Sequence, residues 1–257
     1  MRRASKRAVS CRLSFCIHSR NQEGIIRSKE ASTGSALITV QRDKGENRII
    51  VVPGSNMLLS TADIDHAAAE GFLDARVVVC QFEISGKSTL HALKLARQKG
   101  RMTILNPAPP PNKAPGNAEL LPEMLKLCDY CCPNETEALQ LISSAGDKND
   151  TSAGIGSIDS YSHCLCWLAE HGVVNPIVTM GSKGLVALAA KSSIPVNLTK
   201  DVSVVRDVVV NGQKKCVVHV DAPHVPKVID TTLAQNVKIK NCGVAVFAPY
   251  KTTSFQQ

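Results

Sequence analysis

No stretch of this sequence reaches 18 consecutive apolar side chains, so it offers no helix able to cross a bilayer. Aromatic residues are scarce at 4%, which argues against the stacked platforms that hold single-stranded nucleic acid. The first 22 residues contain no Asp or Glu. After the polar run Asp230-Thr231-Thr232 there is neither the Gly nor the carboxylate that a phosphate-cradling turn would need. The next residues are Leu233, Ala234, Gln235 and Asn236.

What is present is mostly globular in character. The 257 residues are 44% apolar with near-zero mean hydropathy, enough for a substantial core. Ten Cys are set mainly as single residues in apolar runs, as at Cys80, Cys216 and Cys242, which reads as buried free thiols in a reducing compartment. Cys128-x-x-Cys131 and Cys164-x-Cys166 raise a zinc reading. The second pair sits on a helical pattern with a spacing that splits its thiols, and the first ends a buried strand. Buried thiols are the preferred reading, and His163 is incidental to it.

The net charge of +8 is unevenly placed. Residues 1–30 carry eight Lys or Arg against Glu23 and Glu30, which makes a basic leader rather than a basic face. Nucleic acid and membrane are therefore not expected partners. The leader's Arg- and Ser-rich composition resembles a mitochondrial transit peptide, and a disordered leader is the other, preferred reading. A cytoplasmic protein is expected, with the nucleus left open.

From residue 31 the patterning becomes regular. Runs 35–40 and 48–52 read as a hairpin with Gly45 in its turn. Ser60 followed by Asp63 reads as an acidic capping box before an Ala-rich helix. Strands at 75–83 and 101–109 enclose a helix over 86–100. A short helix at 120–128 leads to a strand ending near Cys131. Helices follow over 134–144 and 160–172, separated by a loop at 146–157. Strand–turn–strand at 176–190 and a hairpin over 202–220, turning at Asn211-Gly212, complete the pattern. Alternating β and α segments with short links predict a doubly wound, mostly parallel sheet. Ligands of such sheets sit beyond the carboxyl ends of the strands.

Several polar residues fall at those ends. Glu83 can accept two sugar hydroxyls, or simply favour a helix N-terminus. Asn134 with Glu137 closes a capping box, or serves nucleotide phosphate and water-bridged Mg²⁺. Thr179-Met180-Gly181-Ser182-Lys183-Gly184 is a hairpin turn, or a loop that cradles a nucleotide. Each is weak alone.

In order, the pieces are more specific. "STGSALITV", "GENRIIVVPGSN", "VCQFEI", "ILNPAP", "CPNETEA", "VTMGSKG" and "VIDTT" resemble successive segments of ribokinases, within the phosphofructokinase-B group of carbohydrate kinases. The resemblance runs from about Ser32 to Thr232. It implies a three-layer α/β/α sandwich over 31–232 with a small β lid near 35–52. It implies ATP-dependent phosphorylation of D-ribose at O5, with the lid as a dimer interface. Glu83 would bind the sugar. Asn134, Thr179, Gly181, Ser182, Lys183 and Gly184 would bind ATP. Glu137 would serve Mg²⁺ through water, and Asp230 and Thr232 a monovalent cation, K⁺.

Two parts of the family pattern are missing. The Gly-Gly-Lys-Gly-Ala-Asn sugar-gripping segment is replaced by the basic leader. The Gly-Ala-Gly-Asp turn is replaced by 233–236, so Asn236 stands where the catalytic base belongs, and 233–257 forms a divergent tail. An amide there loses general-base help worth roughly 10²–10⁴-fold. The expectation is a chain truncated at both ends, inactive alone, with an exposed sheet edge. The competing expectation is a non-catalytic module that binds nucleotide or dimerises.

Overall fold

The computed structural model describes residues 25–41, 47–111, 116–144, 158–194, 201–222 and 244–247. Gly45, the 146–157 loop, Asp230, Thr232 and Asn236 lie outside the described residues. The described chain falls into two units, one running to Leu58 and the other from Leu59 onward together with Val244–Phe247.

The first unit is an antiparallel hairpin of β1 (Ser35–Val40) and β2 (Asn47–Val52), followed by a 3-10 turn over Gly54–Leu58. Its register pairs Leu37 with Ile50 and Ser35 with Val52. That puts Leu37, Ile50 and Val52 on one face and Ile49 and Val51 on the other. Both faces are exposed, Leu37 at 64% and Ile50 at 66%.

The second unit holds an eight-stranded sheet among the described residues. The strands are β3 (Val77–Gln81), β4 (Met102–Asn106), β5 (Tyr130–Cys131), β6 (Asn175–Thr179), β7 (Leu185–Ala190), β8 (Val202–Val210), β9 (Gln213–Val220) and β10 (Val244–Phe247). Their order is β10-β3-β4-β5-β6-β7-β9-β8. Pairing is parallel from β10 to β6 and antiparallel from β6 to β8. The expected exposed sheet edge does not fall at β3: among the described residues the sheet ends at β10 and β8. The tail supplies β10, whose Val244–Phe247 backbone pairs with Val77–Cys80 and satisfies the ladder there.

Among the described residues five helices accompany the sheet: α1 (Thr61–Ala69), α2 (Gly86–Gln98), α3 (Asn117–Leu125), α4 (Glu135–Ser144) and α5 (Ile158–Glu170). α1 starts as expected on a reciprocal box: the Asp63 N–H donates to Ser60 Oγ at 3.2 Å and the Ser60 N–H to Asp63 Oδ2 at 2.8 Å. β3, β4, β5 and β6 step across the sheet in one direction. Right-handed crossovers then place α2 to α5 on one face. The strand alternation agrees. Val78, Cys80, Leu105, Cys131, Val178, Val186 and Leu188 are buried, whereas Val77, Val79, Ile104 and Ile177 are half-buried on the opposite face. Among the described residues no second helical layer covers the opposite face.

The core is formed where helix periodicity meets that alternation. Leu90, Leu93 and Ala96 of α2, Leu121 and Met124 of α3, Ala138 and Leu141 of α4, and Tyr161, Leu165 and Leu168 of α5 are all buried. Each large apolar side chain so placed contributes roughly 1.5–3 kcal/mol. One buried polar group is fully partnered. Thr103 Oγ1 donates to Leu127 O at 2.6 Å, and its N–H donates to Asp129 Oδ2, whose other oxygen receives Arg97. This ties α2, β4 and the start of β5 together. The thiols of Cys128 and Cys131 are buried and pushed well above the ordinary thiol range by desolvation, and that of Cys80 is pushed up to about 12. Protonated thiols of this kind are packing groups.

Candidate functional site

Parallel strands with a common direction place their carboxyl ends along one edge of the sheet. Gln81 pairs with Asn106, Leu105 with Cys131, Cys131 with Pro176, and Asn134 with Thr179. Glu83, Asn134, Glu137 and the 179–184 loop therefore all stand at that edge. Asp230, Thr232 and Asn236 lie outside the described residues, so three of the expected site positions have no geometry here.

The best-defined part is the junction of β5, α4 and β6. The Asn134 N–H donates to Glu137 Oε2 at 2.9 Å, and the Glu137 N–H donates to Asn134 Oδ1 at 2.9 Å. The capping box is therefore formed. It engages the amide oxygen of Asn134 and not its Nδ2 donor. One turn later in space, the Thr179 N–H donates to Pro133 O at 3.0 Å and its hydroxyl reaches the same carbonyl at 3.4 Å. Residues 133–134 and 179 are thus latched together, two strands' ends held at fixed spacing.

From Thr179 the chain enters a tight turn. The Met180 N–H donates to Gly184 O at 2.7 Å, the Lys183 N–H to Met180 O at 3.0 Å and the Gly184 N–H to Gly181 O at 3.1 Å. These bonds leave the N–H groups of Gly181 and Ser182 unengaged among the described residues. Gly181, Ser182 and Lys183 are exposed, offering two backbone donors, a hydroxyl and an ammonium to an anion. Gly184 is required by its surroundings. Its φ is +87°, and a Cβ would lie 1.9 Å from Val220 O and 2.7 Å from Ala222 N. Gly181 also has a positive φ, but a Cβ there would meet nothing within 4 Å.

The β3–β4 end differs. Glu83 is half-buried in the turn between β3 and α2. Phe82 is held from both sides, its N–H donating to Ala108 O at 3.0 Å and its carbonyl accepting from Asn117 Nδ2 at 3.4 Å. Asn106 Oδ1 and Asn117 Oδ1 are buried with no hydrogen-bond partner among the described residues. Asn106 stands within the segment ILNPAP that carried the resemblance, whereas nothing near Asn117 signalled its place, because it opens a helix distant in sequence from Phe82. His219, described below, sits in mid-strand by its pattern and gave no signal either.

Residues 21–209 match the pfkB carbohydrate kinase family. Over 169 residues the chain is 32% identical to the ribokinase of Mus musculus, covering 66% of this chain and 47% of that protein. It is 35% identical over 161 residues to the ribokinase of Staphylococcus aureus, covering 62% and 47%. A solved ribokinase of Thermotoga maritima superposes with a TM-score of 0.50 at 25% identity, covering 79% of this chain and 52% of that one. The chain spans about half the length of the curated relatives it matches. The ribokinase-like α/β fold expected from the motifs is the one present.

Proposed function

This chain belongs to the pfkB family of carbohydrate kinases, and from that premise we propose that its strand-end edge is the nucleotide half of a ribokinase-type site. The reaction class is transfer of the γ-phosphoryl of ATP to O5 of D-ribose. The observation that carries the reading is the latch between Asn134 and Thr179 beside a turn whose two N–H groups are unengaged among the described residues.

The assignments come from each residue's place in the motifs, and the geometry of the 134–137 box and the 179–184 turn supports those made there. Gly181 and Ser182 donate N–H groups toward phosphate, with the Ser182 hydroxyl and Lys183 ammonium beside them. Asn134 presents Nδ2 while its oxygen holds the cap. Gly184 keeps the turn against β9, and Thr179 fixes its base. Glu83 takes sugar hydroxyls. The Glu137 carboxylate, anchored at the start of α4, fits an Mg²⁺ held through water, since an outer-shell role needs a fixed carboxylate rather than a closed cage. Mg²⁺ on the nucleotide would offset phosphate charge. Asp230 and Thr232 are assigned to K⁺ from their place in the motif alone. What the protein contributes to this reaction is positioning and charge stabilisation.

The chain itself is proposed to be catalytically silent. At 233–236 it has Leu-Ala-Gln-Asn, so the amide of Asn236 stands where a proton acceptor is needed. Purified 1–257 with ATP, Mg²⁺, K⁺ and D-ribose is expected to yield no ribose 5-phosphate. Turnover at roughly 1–100 s⁻¹ defeats this part of the proposal. The second reading, a non-catalytic nucleotide-binding or dimerising module, is favoured by the same residues together with the intact turn. A labelled ATP analogue is expected to bind wild type and not Asn134→Asp, which keeps a cap acceptor but removes the Nδ2 donor. No binding in either rejects the nucleotide assignment.

The hairpin is proposed as a homodimer surface. Isolated two-stranded ribbons are marginal in water, and this one exposes apolar side chains on both faces. Sedimentation should show a dimer that Leu37→Asp dissociates; a monomer at every concentration ends that proposal. A cytoplasmic location is proposed with it, to be checked with a C-terminal fluorescent fusion.

A further inference from the structure

The geometry points to His219 as the residue that positions the nucleotide turn. Its imidazole Nε2 donates to the carbonyl of Lys183 at 2.7 Å. Asp221 Oδ1 stands 3.6 Å from Nδ1 on the other side of the ring, and the side chain is only 19% exposed. The bond is made from β9, because the register pairs Val186 with His219 and Leu185 with Val220. The same strand end carries Val220 O, against which Gly184 is packed too closely for any Cβ.

The end of β9 thus holds the turn at two points. One is backbone against Gly184, and the other is an imidazole on Lys183 O. Among the described residues, the turn's other hydrogen bonds are internal: Met180 to Gly184, Lys183 to Met180, and Gly184 to Gly181. Internal bonds keep a turn's shape but do not fix its orientation on the sheet. Beyond the Thr179 latch at its base, His219 adds a side-chain bond from β9 to the turn, and so helps set where the Gly181 and Ser182 donors point. Donors aimed at a phosphate bind it in proportion to their alignment. His219 need not touch the ligand, a nucleoside triphosphate. It is a positioning residue, and this role rests on the nucleotide reading above.

The test uses full-length 1–257 with Mg²⁺ and a fluorescent ATP analogue. His219→Ala and the bulkier His219→Leu remove the donor, while His219→Gln returns an N–H at similar reach. The expected result is roughly 3- to 10-fold weaker binding in Ala and Leu, the loss of one hydrogen bond, with Gln near wild type. Melting temperature is read for each, and an affinity loss restored by Gln at matched stability separates positioning from general destabilisation. If Ala misfolds, Leu against Gln carries the comparison. Equal affinity in all four proteins overturns the inference. If wild type itself does not bind the analogue, the nucleotide reading has failed, and hydrogen exchange over 180–185 then decides on His219. Faster exchange in Leu, restored in Gln, upholds the positioning of the turn; unchanged exchange overturns it.

Discussion

The two ends of one strand edge are built to different standards. At the β5–β7 end Asn134 and Glu137 satisfy each other, Thr179 is latched to Pro133, and the 180–184 turn closes on itself and on β9. At the β3–β4 end Asn106 and Asn117 each bury an amide oxygen without a partner among the described residues. Buried acceptors in that state carry a desolvation cost of about 1–3 kcal/mol each. The difference teaches that the first end is pre-organised by its own residues. The second is shaped but not completed by the described chain.

The largest expected effect breaks the tidy end. Gly184→Ala places a methyl into Val220 O at a positive φ, and neither neighbour is a flexible side-chain tip. It is expected to cost about 3 kcal/mol or more in chemical denaturation and to abolish binding of the ATP analogue. Gly181→Ala has only its φ against it and open space around it, so about 1 kcal/mol is expected. Equal losses at the two glycines would show that backbone conformation, not the approach of β9, sets the requirement.

A smaller effect contrasts the two ends directly. Asn134→Leu removes a helix cap that receives the Glu137 N–H, a loss of about 1–2 kcal/mol. Asn106→Leu removes an oxygen with nothing to lose, so stability is expected to hold or rise slightly by thermal melting. A fall of similar size at Asn106 would mean that its amide is engaged in solution and the ends are alike.

The smallest effect is a control away from both ends. The carboxyl of Asp63 is held below its ordinary value chiefly by the Ser60 N–H and also by its hydroxyl. A depressed carboxyl contributes stability above the unfolded value of 3.8 that is lost as pH falls through the folded one. Acid should therefore loosen α1 below about pH 4 in wild type, with the pH dependence reduced in Ser60→Ala. Circular dichroism down to pH 2.5 reads it.

Much of this was legible because it depends on near neighbours in sequence. Asn211-Gly212 marked a hairpin turn, and both residues take the positive φ such a turn needs, 50° and 74°. Ser60 with Asp63, and Asn134 with Glu137, marked helix starts three residues deep. Apolar runs marked β3 and β4. What was illegible depends on register between distant strands. Nothing around His219 shows that it will face Lys183, since that needs β7 and β9 paired one way and not shifted by a residue. Asn117 meets Phe82 across 35 positions. The four residues of β10 gave no sign that they would seat beside β3, because a short apolar strand fits many edges.

That last strand also sets a schedule for synthesis. β3 leaves the ribosome roughly 170 residues before the segment that pairs with it, an interval of about 8–35 s at ~5–20 residues per second. Until then Val77 to Cys80 wait for the partner that β10 supplies, so the order of synthesis delays the completion of that ladder.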